Sequence, residues 1–524
     1  MSDMAGAYAG NRPAFGNPRM PADQDRYMFW ATGARMPSGA LLTAQSDTRF
    51  IMTKLIFGSP QYAIDHLRLH YSGFACTEGG NSPQETVLPG NATVIHGVWI
   101  AVNGGPALSC GFGGAAGTSI ASGALGAWTD DLSLAVPPLA QVTVYTLYMT
   151  AAGEKQIPVH QIMRQRGERV WGADNAAALT ALIGTDTAST ASLDGPSFPA
   201  YYGPDFMVAK GWDGRPVPLV VCDSIGERQS DHPLAADARR NMGWLRRWLD
   251  RDGTYGRIPH MVIGMPGAAS KRELISTNSA KRWDIVDQVV TMNGGRRPFT
   301  CILNQMGRND YDSSSYATTR SNWKALNDRV LARHPGIPIV AVGQVIHPNS
   351  TDGFRTLANQ GYQAGGEWPS GVRYQLEADK EAGMDGSLAG YIEVMRASGL
   401  ADTQGKWPEP FFVTTLAQQA GTDGAATYDT IILADAPELG DTLQWAAGGT
   451  SAFATVIGIS GQPGNWTCKL HYNGSRTVVA AGGEVFAPNA NDGAGSPRTG
   501  THPRPRMIRA IAERVPQSGK AQLR

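Results

Sequence analysis

Ser224 closes an apolar run, Pro216-Val217-Pro218-Leu219-Val220-Val221-Cys222-Asp223, and is followed by Ile225-Gly226. A hydroxyl at the end of a buried strand is a candidate nucleophile, because open α/β sheets bind ligands in the crevice beyond the carboxyl ends of their strands. The same Asp-Ser pair also suits an ordinary turn and helix N-cap. The nucleophile reading needs a base and donors for an oxyanion elsewhere in the chain. Gly267 and Asn309 follow two later apolar runs, and His502 lies in a late Gly- and Pro-rich loop. The set suffices for acyl transfer. His502 would take the proton from Ser224 and return it to the leaving alcohol. The backbone N–H groups of Ser224 and Gly267 and the side-chain amide of Asn309 would aim at the charge that develops on the tetrahedral oxygen. Glycine allows close backbone approach at 267, and the amide at 309 is a neutral donor that needs no titration.

Strands and helices must bring these distant positions together. Short apolar runs at 216–222, Pro259–Ile263, Phe299–Leu303 and Ile337–Ile346 read as buried strands. Between them the periodicity turns helical, as in Ala238, Met242, Leu245 and Leu249, and again in Trp323, Leu326 and Val330. Strand and helix in alternation predict right-handed crossovers and an α/β parallel sheet with helices on both faces. Such a sheet gathers the loops that follow its strands on one edge. From Gly365 the alternation fails. Helical character to Leu400 gives way to runs such as Thr430–Leu433, Ala454–Ile459 and Arg476–Val479, which predict a β-rich insertion at about 365–488. A terminal helix runs through Met507, Ile508, Ile511 and Val515, and Lys520 and Arg524 read as a solvated tail.

At 524 residues the chain exceeds one ordinary core. Residues 1–45 read as an irregular arm, and 46–171 as an all-β domain, a jelly roll or sandwich, from alternating runs such as Ile64–Tyr71. Residues 172–215 read as a linker, and 216–524 as the α/β domain with its insertion. An arm of this composition is suited to ordering against a partner, in a homo-oligomer or a virion. Forty-five basic and forty-five acidic residues cancel, which leaves no electrostatic case for nucleic acid or an anionic membrane. Residues 1–20 hold no apolar run of the secretory kind and no stretch has the length of a membrane span, so the expected location is the producer's cytoplasm or a virus particle.

His66 and His70 are four residues apart, but on a strand they stand about 13 Å from one another, too far to share an ion. The five cysteines, at 76, 110, 222, 301 and 468, form no Cys-x-x-Cys pair. No metal or cofactor is expected, and no disulfide framework, although Cys76 and Cys110 could pair from neighbouring strands.

Four blocks in order, Cys222-Asp223-Ser224-Ile225, Gly267, Gly307-Arg308-Asn309-Asp310 and His502-Pro503, resemble those of the SGNH or GDSL-type hydrolases. In that family the first block is Gly-Asp-Ser-(Ile/Leu), the third is Gly-x-Asn-Asp, and the last is Asp-x-x-His followed by proline. The resemblance covers 216 to about 350 and 490–516. It implies a flavodoxin-like sheet and a serine esterase with Ser224 as nucleophile, His502 as base and Gly267 and Asn309 in the oxyanion hole. A carbohydrate ester, an O-acetyl group first, is the expected substrate. That expectation rests on the added β-domain and on Trp99 and Trp128, whose rings could stack on sugars. A phage tail protein that deacetylates host polysaccharide fits these features. The competing expectation is a non-catalytic structural or glycan-binding protein built on the same fold.

Two residues depart from the pattern. Cys222 stands where the family has glycine, and a cysteine closing an apolar strand is expected to be buried and inert. Thr499 stands where the family has the acid that orients the histidine. Three accounts are open: Asp492 folds back to fill that place, a backbone carbonyl or the Thr499 hydroxyl orients the ring, or the site is impaired. Variants separate these accounts by turnover of a nitrophenyl ester. Asp492→Ala costs up to about 10⁴-fold if Asp492 is the acid, as removal of a triad acid does. Thr499→Asp raises turnover if the site is impaired, and no response to either leaves the hydroxyl or a carbonyl in the role.

Overall fold

The computed structural model describes residues 21–37, 46–76, 85–86, 90–155, 167–185, 202–227, 231, 239, 241–273, 280–311, 314–345, 348–395 apart from 353, 355, 364 and 368, then 406, the strands between 412 and 487, 498–499 and 505–523. The apolar runs of the second half form parallel strands: β1 (Pro218–Val221), β2 (Met261–Val262), β3 (Cys301–Asn304), β4 (Ile339–Val342) and β5 (Gly390–Ile392). Their order is 2-1-3-4-5, the flavodoxin-like arrangement. Helices intervene: α1 (Ser224–Glu227), α2 (Trp244–Asp250), α3 (Ala280–Met292), α4 (Arg308–Tyr311), α5 (Tyr316–Arg333), α6 (Val372–Glu381) and α7 (Pro505–Arg514).

Strand alternation assigns the two faces of this sheet. Leu219, Val221, Ile302 and Ile339 join one apolar cluster with Trp283 and Val286 of α3 and Trp323 and Leu326 of α5. Val220, Leu303, Val340 and Ile392 join another with Trp244 and Trp248 of α2 and Ile508 and Ile511 of α7. The strands are apolar on both sides because helices cover both sides. The sheet's edges are covered too. Arg35 bridges β2 at Val262, and the Tyr391 N–H of β5 donates to Gln522 Oε1 (2.7 Å).

Several segments differ from their sequence reading. Within the expected arm, residues 27–30 are buried, Phe29 stacks on Phe299 at 6.4 Å, and Tyr27 and Asn293 exchange two hydrogen bonds (2.9 and 2.8 Å). Aromatic burial fixes this segment in place of the sheet-length periodicity that a sequence scan detects. Within the expected linker, Phe206–Ala209 pairs with both Ile64–Tyr71 and Met28–Phe29. β5 and α6 fall inside the stretch read as insertion, because β5 is a three-residue edge strand with no long apolar run. The β-rich part proper is a closed antiparallel barrel with strands from Phe412–Gln418 to Glu484–Ala487. Lys520 is buried rather than solvated. Its ammonium donates to the carbonyls of Leu249 (3.1 Å), Arg251 (2.9 Å) and Gly256 (2.7 Å), closing the C-terminus of α2.

The first half contributes two antiparallel sheets. One runs in the order Arg169–Ala173, Arg49–Gly58, Gln141–Thr150, Thr93–Val102, Leu108–Cys110. The other is built on Ile64–Tyr71, flanked by Phe206–Ala209 and Leu132–Val136. Buried residues of both fall in one cluster, and the Tyr71 and Thr146 hydroxyls hydrogen-bond between them at 2.9 Å. His66 and His70 each have their own carboxylate, Asp131 (3.0 Å) and Asp205 (2.7 Å). Cys76 and Cys110 are buried free thiols. Among the described residues no helix is long and apolar enough to cross a membrane.

Arg282 at the start of α3 ties the halves together. It is wholly buried, donates to Glu85 of the first half (2.9 Å) and to both oxygens of Glu273 (2.9 Å), and reaches the Ile263 carbonyl at the end of β2 (2.6 Å). Glu85 also accepts the Lys281 and Arg282 backbone N–H groups, so it caps α3 (2.7 and 3.1 Å). Arg282→Met keeps the volume but strands Glu273 in a dry site. The expected loss is about 3–5 kcal/mol, read as a lower denaturation midpoint, and a loss below about 1 kcal/mol contradicts this role.

Candidate active site

Ser224 begins α1 directly beyond β1, at the point where the strand order reverses between β1 and β3. Its residue is 5 % exposed. Two interactions lock the turn beneath it: the Ile225 N–H donates to Asp223 Oδ1 (2.9 Å), and the Glu227 N–H donates to the Asp223 carbonyl (2.9 Å). Glu227, at the end of the turn, is buried against Arg35 (Nη2–Oε2, 2.7 Å) and Arg246 of α2 (3.7 Å). The segment 21–37 thus reaches the candidate nucleophile's own helix, which the sequence did not disclose.

Cys222 is buried, and burial pushes its thiol well above the usual range. Its side chain lies where two glycines leave room. A Cβ on Gly226 would stand 2.6 Å from Cys222 Cβ, and one on Gly264 would stand 2.4 Å from Cys222 Sγ. A thiol at 222 therefore requires glycine at both neighbours, and it has no access to solvent for chemistry of its own.

The β2 loop is drawn to this strand end by the Met265 N–H, which donates to the Cys222 carbonyl (3.2 Å). Gly267 has φ +74°, a left-handed conformation that favours glycine. The β3 loop clamps it from the other side with adjacent residues. Asn309 Nδ2 donates to the Ala268 carbonyl (2.9 Å), and Asp310 Oδ2 accepts from the Ser270 N–H (2.7 Å). Because a carbonyl only accepts, the Asn309 nitrogen is identified, and its second N–H is the donor left for a ligand. Asp310 is buried, and burial raises its carboxyl despite the Ser270 and Lys271 N–H groups.

Gly307 has φ +128°, and a Cβ there would lie 3.1 Å from Leu376 of α6. The Met306 carbonyl before it accepts from Trp323 Nε1 (2.9 Å), Gln344 Nε2 (3.0 Å) and Lys380 Nζ (3.3 Å). Gln344 and Lys380 lie outside every block, and only their burial with polar partners identifies them.

His502 and Asp492 lie outside the described residues. Thr499 is placed by its backbone: it pairs with Asn349 of Pro348–Ser350, beyond the end of β4.

Trp128 and Trp99 have different surroundings. Trp128 Nε1 donates to Gln288 of α3 (2.9 Å) and its ring packs on His70 at 4.8 Å, so it joins the halves of the chain. Trp99 is half-buried against an apolar cluster that includes Met52 and Trp171, and its six-membered ring abuts Gly97, where a Cβ would come within 2.4 Å of it.

No protein-family model matches the sequence, and no curated protein matches it. Solved structures similar to the chain include a family two carbohydrate esterase from Clostridium thermocellum in complex with cellohexaose, at 11% identity over 67% of this chain and 82% of that one, with a TM-score of 0.23. A carbohydrate esterase family 2 enzyme with a carbohydrate binding domain from Corynascus thermopiles is similar at 9% identity over 70% and 89%, with a TM-score of 0.24. A peptidoglycan O-acetylesterase is similar at 11% identity over 68% and 67%, with a TM-score of 0.23.

Asp223 carries the site's pH dependence of stability. Burial lifts its carboxyl from 3.8 to about 6, against the pull of the Ile225 N–H and the Arg308 charge. A raised carboxyl favours the folded state in its protonated form, so this contribution is full below 3.8 and is lost as pH rises through about 6. The difference corresponds to about 3 kcal/mol. Asp223→Asn removes it. The stability of the variant relative to wild type, from urea unfolding, is expected to climb by that amount between pH 4 and pH 7, and a flat difference refutes the assignment.

Proposed function

We propose that the protein is a serine esterase that removes O-acetyl groups from a carbohydrate. Ser224 is the nucleophile and His502 the base. The Ser224 and Gly267 N–H groups and Asn309 Nδ2 hold the oxyanion, and Asp492 or Thr499 orients His502. The observation that carries this reading is the clamp of adjacent Asn309 and Asp310 on the Gly267 loop at the reversal point beside Ser224. Such bonding preorganises donors where acyl transfer develops charge, with little reorganisation left for the reaction itself. The carbohydrate part is supported by Trp99, a half-buried indole beside Gly97 whose exposed part offers an aromatic surface for a sugar ring. We read the two antiparallel sheets as one β-sandwich presenting it.

Hydrolysis of p-nitrophenyl acetate by wild type and Ser224→Ala tests the reading. The variant is expected to fall to background, and equal rates sink it. Asn309→Ala is expected to lower kcat by about 10²–10³-fold, as loss of one oxyanion donor does. Trp99→Ala is expected to raise KM for an acetylated polysaccharide while leaving the small ester unaffected. A folded wild type that hydrolyses neither the nitrophenyl ester nor any acetylated glycan favours the non-catalytic alternative for which Thr499 speaks.

A further inference from the structure

We propose that Arg35 is a positioning residue of the esterase site: carried along the outer side of β2 by the N-terminal segment, its guanidinium holds Glu227, and through Glu227 the turn that bears Ser224. The two residues stand 192 positions apart in sequence. Several contacts deliver the guanidinium across that distance. The Phe29 N–H donates to the Pro298 carbonyl (3.1 Å), the Thr32 N–H donates to the Gly58 carbonyl (3.2 Å), and the Pro37 carbonyl accepts from the Cys76 N–H (2.7 Å). Between these anchors Ala34 and Met36 enter the large apolar cluster, and Arg35 itself bridges in parallel with Val262 of β2.

Both carboxylate oxygens of Glu227 meet Arg35. Nη2 donates to Oε2 at 2.7 Å, and Nε faces Oε1. A fork on two oxygens fixes the plane of the carboxylate as well as its place. Arg246 of α2 brings a second cation, 3.7 Å from Oε1, and also donates to the Glu227 carbonyl. The Glu227 N–H in turn donates to the Asp223 carbonyl (2.9 Å), which closes the turn on which Ser224 stands. The side chains of Arg35 and Glu227 are 4 % and 1 % exposed, so water does not stand in for a missing partner. Without the Arg35 fork the carboxylate is left to Arg246, and its movement toward that cation draws α1 across the strand end. A displacement of about 1 Å at the reacting group costs on the order of 10²-fold in rate.

The effect on catalysis rests on the esterase reading, whereas the anchoring of the turn does not. Arg35→Lys keeps the charge and loses the fork, so kcat for p-nitrophenyl acetate is expected to fall about tenfold or more at unchanged KM. A wild-type kcat with only a lower denaturation midpoint reduces Arg35 to a stabilising contact and overturns the proposal. Glu227→Gln is expected to lower kcat as well, and the two changes together to do no more harm than the poorer one alone, because they break one unit. Losses that multiply overturn action through Glu227. If Arg35→Lys does not fold, Arg35→Met combined with Glu227→Gln removes both buried charges at once, and a wild-type kcat in that variant is equally fatal. Hydrogen exchange reads the anchoring directly. Exchange at the Ile225 and Glu227 amides is expected to quicken about tenfold or more in the variant, and unaltered protection overturns the proposal whatever the protein hydrolyses. If Ser224→Ala matches wild type, the esterase reading falls while the exchange result still decides whether Arg35 holds the turn.

Discussion

One buried guanidinium holds the architecture in register. Arg282 meets Glu85 from the first half, Glu273 from the loop after β2, and the Ile263 carbonyl that ends β2. Taking these charges out of water is costly, and only the completeness of their pairing offsets that cost. The geometry of the Gly267 loop is therefore conditional on the β-domain, since Glu85 both neutralises Arg282 and caps α3. The shape of the Gly267 loop and the association of the two halves are consequences of one interaction.

The same economy recurs around Ser224. Its turn is set by Asp223 from below, by Arg35 and Arg246 through Glu227, and by two glycines that admit the Cys222 side chain. The Gly267 loop takes its shape from Asn309 and Asp310, and the Gly307 turn from three donors on the Met306 carbonyl. Among the described residues, the Gly267 loop is held from the end of β3 and the Gly307 turn by side chains from beyond β4 and from α5 and α6. Rigid parallel strands supply the frame, and side chains from the loops supply the precision.

The parallel sheet was legible because helices cover both of its faces, so β1, β3 and β4 had to be short apolar runs such as Leu219-Val220-Val221. The places of Ser224, Gly267 and Asn309 just beyond strands were legible because each follows an apolar run that gives way to a polar or glycine-rich turn. Other features left little trace in one sequence. β5 is an edge strand of Gly-Tyr-Ile, too short for any period. Residues 27–30 are held by contacts with residues 206 and 293–299, and no local pattern encodes a distant partner. Lys520 reads as an exposed cation until the three carbonyls it meets are known. Gln305 and Gln344 are polar residues whose meaning lies in burial alone.

The aromatic segment at 27–30 also sets a schedule for the nascent chain. Phe29 stacks on Phe299, and Tyr27 bonds to Asn293. At a synthesis rate of about 5–20 residues per second, this segment waits roughly 15–55 seconds for its partners to be made. Met28, Phe29 and Trp30 are all buried in the finished fold, and even the strand Phe206–Ala209 that pairs with Met28 and Phe29 is made about 180 residues later. Contacts of such long sequence separation fold slowly, because loop closure must precede the gain. Three large apolar side chains thus wait for partners made far along the chain, which makes them a natural place for a chaperone to hold this chain during synthesis.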